Sequence, residues 1–163
     1  MFLDKKRELE IDRAISDLLL RVDMSFPENS ISDLLKRLDI PYAVGPLELN
    51  VSGIVFNDNN GVKIAVNEQD NLKRRTFSLA HELGHLTLGH VGTKYRIDKY
   101  DYSSNSTEAT EETEANYFAA ALLVPKRKLL QVLSITHDVN MIAAYFGVSE
   151  SVINNRMNWI GIR

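Results

Sequence analysis

At the start of the chain the apolar positions fall at helical intervals. From Asp4 to Leu20, the residues Leu9, Ile11, Ala14, Ile15, Leu18 and Leu19 recur with the helix period and charges fill the gaps, which predicts an amphipathic helix. Phe26-Pro27 breaks it, and Ser30 can cap a second, short helix carrying Ile31, Leu34, Leu35 and Leu38 before Pro41 stops it. The period then changes. Val51, Ile54, Val55 and Phe56 form a β-prone run, Val62, Ile64 and Val66 alternate in another, and Asn57-Asp58-Asn59-Asn60-Gly61 supplies the reversal of a hairpin. Tyr42 to Val44 offers a further strand. Asp70 or Asn71 can cap a longer helix reaching about Leu88, with Gly89 as its stop. Residues 92–107 are polar and are expected to form a loop. From Thr107 to Leu123 an acidic start and an Ala-rich body predict a helix ended by Pro125, and the remainder holds short helical patterns, with Gly147 and Ser149 between two of them.

The order of elements predicts an α+β fold: N-terminal helices, a small antiparallel sheet, a central helix, a second acidic helix and a C-terminal helical extension. The expected division is a catalytic domain over 1–125 and an extension over 126–163 that packs on it or continues it. The 163 residues suit one compact domain, and the formal net charge of −3 argues against a protein that works mainly by wrapping phosphates. Met1 to Arg13 mixes acids and bases where an export signal needs an unbroken apolar stretch, and no apolar run approaches the roughly 20 residues that span a bilayer, so a cytoplasmic location is expected.

The absence of cysteine leaves His, Asp and Glu as the only ligands for a metal. That bears directly on HELGH, His81 to His85, which sets two imidazoles one helical turn apart on nearly the same face, so that both reach one ion. Glu82 lies about 100° around the helix and is placed to act as general base on a water at that ion. Gly84 costs a helix roughly 1 kcal/mol relative to Ala, which implies that a neighbour packs closely there. A catalytic zinc with two histidines needs a third protein ligand. His90 is out of the register of a third motif histidine and is expected at the helix end beside the terminal carbonyls, while Asp98 and Asp101 have no spacing argument. In EETEANYF, Glu112 and Asn116 are one turn apart, so Glu112 is the chosen ligand with Asn116 supporting a neighbouring ligand by hydrogen bonding. Glu108 can add an acid to that face, whereas Glu111 and Glu114 are expected in solvent. His137, Tyr95, Tyr100 and Tyr102 are candidate oxyanion donors, and either strand of the hairpin can offer an edge to an extended peptide.

RRTFSLAHELGHLTLGH followed at a distance by EETEANYFAAALLVP resembles the ImmA/IrrE family of bacterial and phage-encoded metallopeptidases, over about Val51 to Pro125. The resemblance implies a zincin-like fold with zinc on His81, His85 and Glu112, Glu82 as base and Asn116 in support. It also implies a substrate, a partner helix-turn-helix repressor governing a mobile element, a prophage or a stress response. AAYFGVSESVINNRMNWIGI has itself the cadence of a helix-turn-helix, offering Asn154, Asn155, Arg156 and Asn158. Lys126, Arg127 and Lys128 precede it as a small basic patch. The alternative function is therefore a metal-binding sensor or DNA-binding regulator without peptidase activity.

Overall fold

The computed structural model describes residues 3–90, 94–97 and 107–162. Two helices open the chain. In α1 (Lys5–Val22) the Asp4 side chain accepts from the Arg7 amide, and Ile11, Ile15 and Leu18 form the buried stripe. In α2 (Ile31–Arg37) Ser30 caps through the Asp33 amide, and Ile31, Leu34 and Leu35 are buried. Strands β1 (Tyr42–Gly45), β2 (Val51–Asp58) and β3 (Gly61–Asn67) follow, then α3 (Leu72–Thr87), β4 (Lys94–Ile97), α4 (Thr107–Leu123), α5 (Lys126–Leu133), α6 (Val139–Phe146) and α7 (Glu150–Trp159).

The sheet has four strands in the order β1-β3-β2-β4. The β2–β3 hairpin closes with Asp58 opposite Gly61, whose φ of 101° is available at little cost only to glycine. The sheet is mixed, not wholly antiparallel: β1 runs parallel to β3, because the α2–β1 connection brings the chain in along the far side of the hairpin. The stretch expected to be all loop contains β4, which pairs antiparallel with β2 through backbone groups that its polar composition does not advertise. As a result β2 and β3 are both interior strands, and neither has the free edge expected for a peptide. The edges are β1 and β4.

Helix α3 lies on β2 and β3 with one flank and packs most extensively against α4 with another. Helix α4 is buried nearly all round: Ala115, Phe118, Ala119, Ala120 and Leu122 are each at most 1% exposed. Gly84 of α3 faces Phe118 so closely that an added Cβ would sit 3.0 Å from the Phe118 ring, which is the close packing that a glycine in this helix implied. Gly84→Ala is therefore expected to lower stability. The helical gain of roughly 1 kcal/mol is opposed by an overpacking cost of about 1–3 kcal/mol, and the fully buried Phe118 has no room to retreat. A lower melting temperature in a thermal scan is the expected reading; an increase would contradict it. The core continues without a break into the C-terminal helices through Leu129, Ile142, Phe146, Val148 and Ile153. Among the described residues, no helix is long and apolar enough to cross a membrane.

Candidate metal centre

The side chain of Asn71 accepts from the Arg74 amide and starts α3. From there His81, Glu82 and His85 all fall in its buried half, at 0%, 0% and 1% exposure. Alongside, α4 presents Glu112 and, one turn later, Asn116. His81 Nε2 lies 3.0 Å from Glu112 Oε2 and 3.1 Å from His85 Nε2, and His85 Nε2 lies 2.9 Å from Glu112 Oε1. A tetrahedral ion bound at about 2.0–2.1 Å sets its ligand atoms roughly 3.3 Å apart, so the three groups stand at ligating separation.

The hydrogen-bond partners sharpen the fit. His81 Nδ1–H donates to Asn116 Oδ1 at 2.9 Å, which turns Nε2 toward the cluster. His85 Nδ1 is engaged with His90 Nδ1 at 2.7 Å, so its Nε2 likewise faces the cluster. Two imidazole Nε2 atoms and a carboxylate thus converge in a buried space, a donor set suited to a cation that water-exposed acids do not share. Burial alone raises the Glu112 carboxyl, but its contacts with His81 and His85 outweigh that and hold it well below the usual carboxylate range. Together, His81, His85 and Glu112 can hold a metal ion.

Glu82, the residue after His81, lies against the sheet. Gly53 on β2 makes room for it: a Cβ there would lie 3.3 Å from Glu82 Oε1. This glycine escaped the reading of the sequence, although an isolated glycine within a strand is itself a sign of close approach.

Around the site the expectations for three acids of α4 change, and that for His90 is extended. His90 sits at the helix end as expected, its amide donating to the His85 carbonyl at 2.9 Å, but its ring does more than that position implied. Gly89, at φ 73°, turns the chain so that the His90 ring folds back between His85 and Glu114. Glu114 is not solvated but 9% exposed, accepting from His90 Nε2 at 2.9 Å and from Arg7 Nε and Nη2 at 2.9 and 2.8 Å. Glu111 is half-buried, with Oε2 3.7 Å from His90 Nδ1, whereas Glu108 is exposed and adds nothing to the ligand face. Arg7 could not have been found from sequence spacing, because it reaches the site from α1.

Among the oxyanion candidates, His137 is exposed just before Asp138, the cap of α6. Asp98, Tyr100, Asp101 and Tyr102 lie outside the described residues, as does the side chain of Tyr95. The helix-turn-helix order is present as α6, Gly147 in the left-handed region, then α7 capped by Ser149. Of the groups offered for base contacts, Asn154, Asn155 and Asn158 are exposed. Arg156 is 3% exposed, donates from Nε to the Val124 carbonyl at 2.9 Å and lies over the Tyr117 ring, so it is a packing residue. Between α3, α4 and α7 runs a cleft of about 680 Å³ whose walls include Arg74, Phe77, Thr113, Asn116, Asn155 and Trp159. Phe77 and Asn116 of the cleft are also neighbours of the His81 ring, so the cleft runs beside the ligand cluster without being lined by the ligands themselves.

The electrostatics carry an acid-stability prediction. Burial raises the Glu114 carboxyl, but Arg7 and His90 more than offset this and leave it below its ordinary 4.5. A carboxylate depressed in the folded state contributes stability that is complete above 4.5 and is lost as pH falls through the lower folded value. The melting temperature of metal-free protein is expected to fall on acidification below 4.5, and Glu114→Gln to flatten part of that fall. Parallel curves for the two proteins would contradict it.

Comparison with known proteins bears on the family and the fold. The model of the Peptidase_M78 family, described as the IrrE N-terminal-like domain, matches residues 39–158. No curated protein matches the chain. Among solved structures, a Mycobacterium tuberculosis transcriptional regulator shares the fold with a TM-score of 0.59 at 17% identity, over 95% of this chain and 47% of that one. The chain thus spans about half the length of that regulator. With HELGH and the acidic helix both inside the matched span, the chain belongs to the Peptidase_M78 family.

Proposed function

We propose that the protein is a cytoplasmic zinc-dependent endopeptidase that cleaves a partner helix-turn-helix repressor, and so regulates a mobile element, a prophage or a stress response. The observation that carries this reading is the convergence of His81 Nε2, His85 Nε2 and Glu112 at about 3 Å from one another with Glu82 buried next to them. Two imidazoles and one carboxylate, without thiolates, are the donor set of a catalytic zinc site that keeps a position open. Bound zinc supplies Lewis acidity to the scissile carbonyl and to water.

The chain's own residues do the rest. Glu82 takes a proton from the attacking water on its carboxylate and delivers it to the leaving amide nitrogen. Asn116 holds the His81 ring through Nδ1, and the buried flanks of α3 and α4 exclude bulk water from the ligands. A peptide segment approaches along the cleft that shares Phe77 and Asn116 with the site. The repressor as substrate is supported by the family resemblance, and a structural neighbour that is a transcriptional regulator fits a regulatory setting.

The test is incubation of zinc-loaded protein with the helix-turn-helix repressor encoded beside its gene, read by intact mass spectrometry. Fragments are expected with wild type and none with Glu82→Gln; an intact repressor in both would sink the substrate assignment. The element order α6-Gly147-α7 favours a second reading, a sensor or DNA-binding regulator. Salt-dependent DNA binding that survives chelation would support it. The burial of Arg156 weighs against it, because the remaining reading groups are neutral amides.

A further inference from the structure

The ligand His85 is held by a chain of contacts that ends on the first helix. We propose that His90, Glu114 and Arg7 are positioning residues of the metal centre, fixing the His85 ring from α1. This rests on metal binding at His81, His85 and Glu112, but not on peptide hydrolysis.

The direction of every hydrogen bond in the chain follows from its first member. His85 turns Nε2 to the ligand cluster, so when that nitrogen binds a metal its proton lies on Nδ1 and is donated to His90 Nδ1, 2.7 Å away. His90 accepts there and therefore carries its own proton on Nε2, which it donates to Glu114 Oε1 at 2.9 Å. Glu114 has no proton to give and accepts from Arg7 at both oxygens, through Nε at 2.9 Å and Nη2 at 2.8 Å. With His85 bound to a metal through Nε2, its one proton must lie on Nδ1, and no member can then reverse without leaving two acceptors or two donors face to face. A ligating histidine commonly donates its second nitrogen to a carboxylate, which fixes tautomer and ring orientation. Here a second imidazole extends that reach, with the His90 side chain only 7% exposed and that of Glu114 11%.

Two local features build the relay. The left-handed Gly89 and the bond from the His90 amide to the His85 carbonyl fold residue 90 back beneath its partner. Helix α1 packs along α4 and brings Arg7 to Glu114. Arg7 lies outside residues 39–158, so the metal centre depends on a helix beyond the span that marks the family.

A plain α1–α4 salt bridge would stabilise the fold without touching metal affinity, and the experiment separates the two. Zinc affinity is measured by competition with a chromophoric chelator, and cobalt(II) absorption reports ligand geometry. His90→Ala, Glu114→Ala and Arg7→Ala are expected to weaken zinc binding, about 10–100-fold for the members nearest the ligand, and to alter the cobalt spectrum. His90→Gln, whose side-chain carbonyl can accept from His85, is expected to recover part of the loss. Tyr117→Phe removes a different α1–α4 tie, the 2.9 Å bond from Tyr117 to Asp12, and is expected to leave affinity unchanged.

Unchanged affinity in His90→Ala and Arg7→Ala would overturn the relay, as would an equal loss in Tyr117→Phe. If Glu114→Ala fails to fold, His90→Ala and His90→Gln still decide the question. Wild type without stoichiometric metal would instead remove the underlying metal-centre reading.

Discussion

Replacing Glu112 by alanine is expected to abolish stoichiometric zinc binding and, with it, any zinc-induced rise in melting temperature. Glu112 is the only anionic member of the cluster His81, His85 and Glu112. Without it a divalent ion would meet two neutral imidazoles in a site shielded from water, where an uncompensated charge is costly. For a protein that binds, the stabilisation at a hundredfold excess of free zinc over Kd is about 2.7 kcal/mol, a shift of several degrees that thermal scans resolve readily. The same scans with Glu112→Ala should show no zinc-dependent shift, and metal analysis after gel filtration should find none retained. Glu108→Ala provides the control, since Glu108 is exposed on the same helix one turn earlier. Metal retained at full stoichiometry by Glu112→Ala would remove Glu112 from the ligand set.

The second large effect separates chemistry from binding. Glu82→Gln keeps the shape of a side chain that is 0% exposed and sits over Gly53, and it leaves the three ligands in place. Zinc content and zinc-dependent stabilisation should therefore match wild type. Hydrolysis should fall by about 10²–10⁴-fold, the usual contribution of a general base, because a neutral amide cannot take the proton from water. Peptide cleavage followed by mass spectrometry gives the rate, and metal analysis of the same preparation gives the occupancy. A rate within a few-fold of wild type would remove Glu82 from the role of base. Paired with Glu112→Ala, the experiment yields distinct signatures: one variant without metal, the other with metal and without chemistry.

The parts of this protein that the sequence shows plainly are those set by local periodicity. The spacing of His81 and His85 places them on one face once Asn71 starts the helix, and the same one-turn rule brings Glu112 and Asn116 to a common face of α4. Gly84 signals a close neighbour before that neighbour, Phe118, is known. The hairpin is equally legible in its Asn/Asp/Gly turn. Elements that depend on partners distant in sequence are not. Strand β4 is polar and gains its conformation from pairing with β2, and the direction of β1 is set by β3.

His90 and Glu114 show the same limit on the scale of single residues. Each taken alone reads as an ordinary helix-end histidine or a solvated acid, since spacing within one helix says nothing about what the next helix brings. By itself, then, the sequence determined the identities of two helix faces, the metal-binding chemistry they can support and the glycine that lets them meet. Only the tertiary structure decided that Glu82 rests on Gly53, that Arg156 is buried in the core, and that Arg7 reaches through Glu114 and His90 to His85. The reason is physical: helical periodicity is a property of a few consecutive residues, whereas the partner of a buried charge is selected by how separate elements pack.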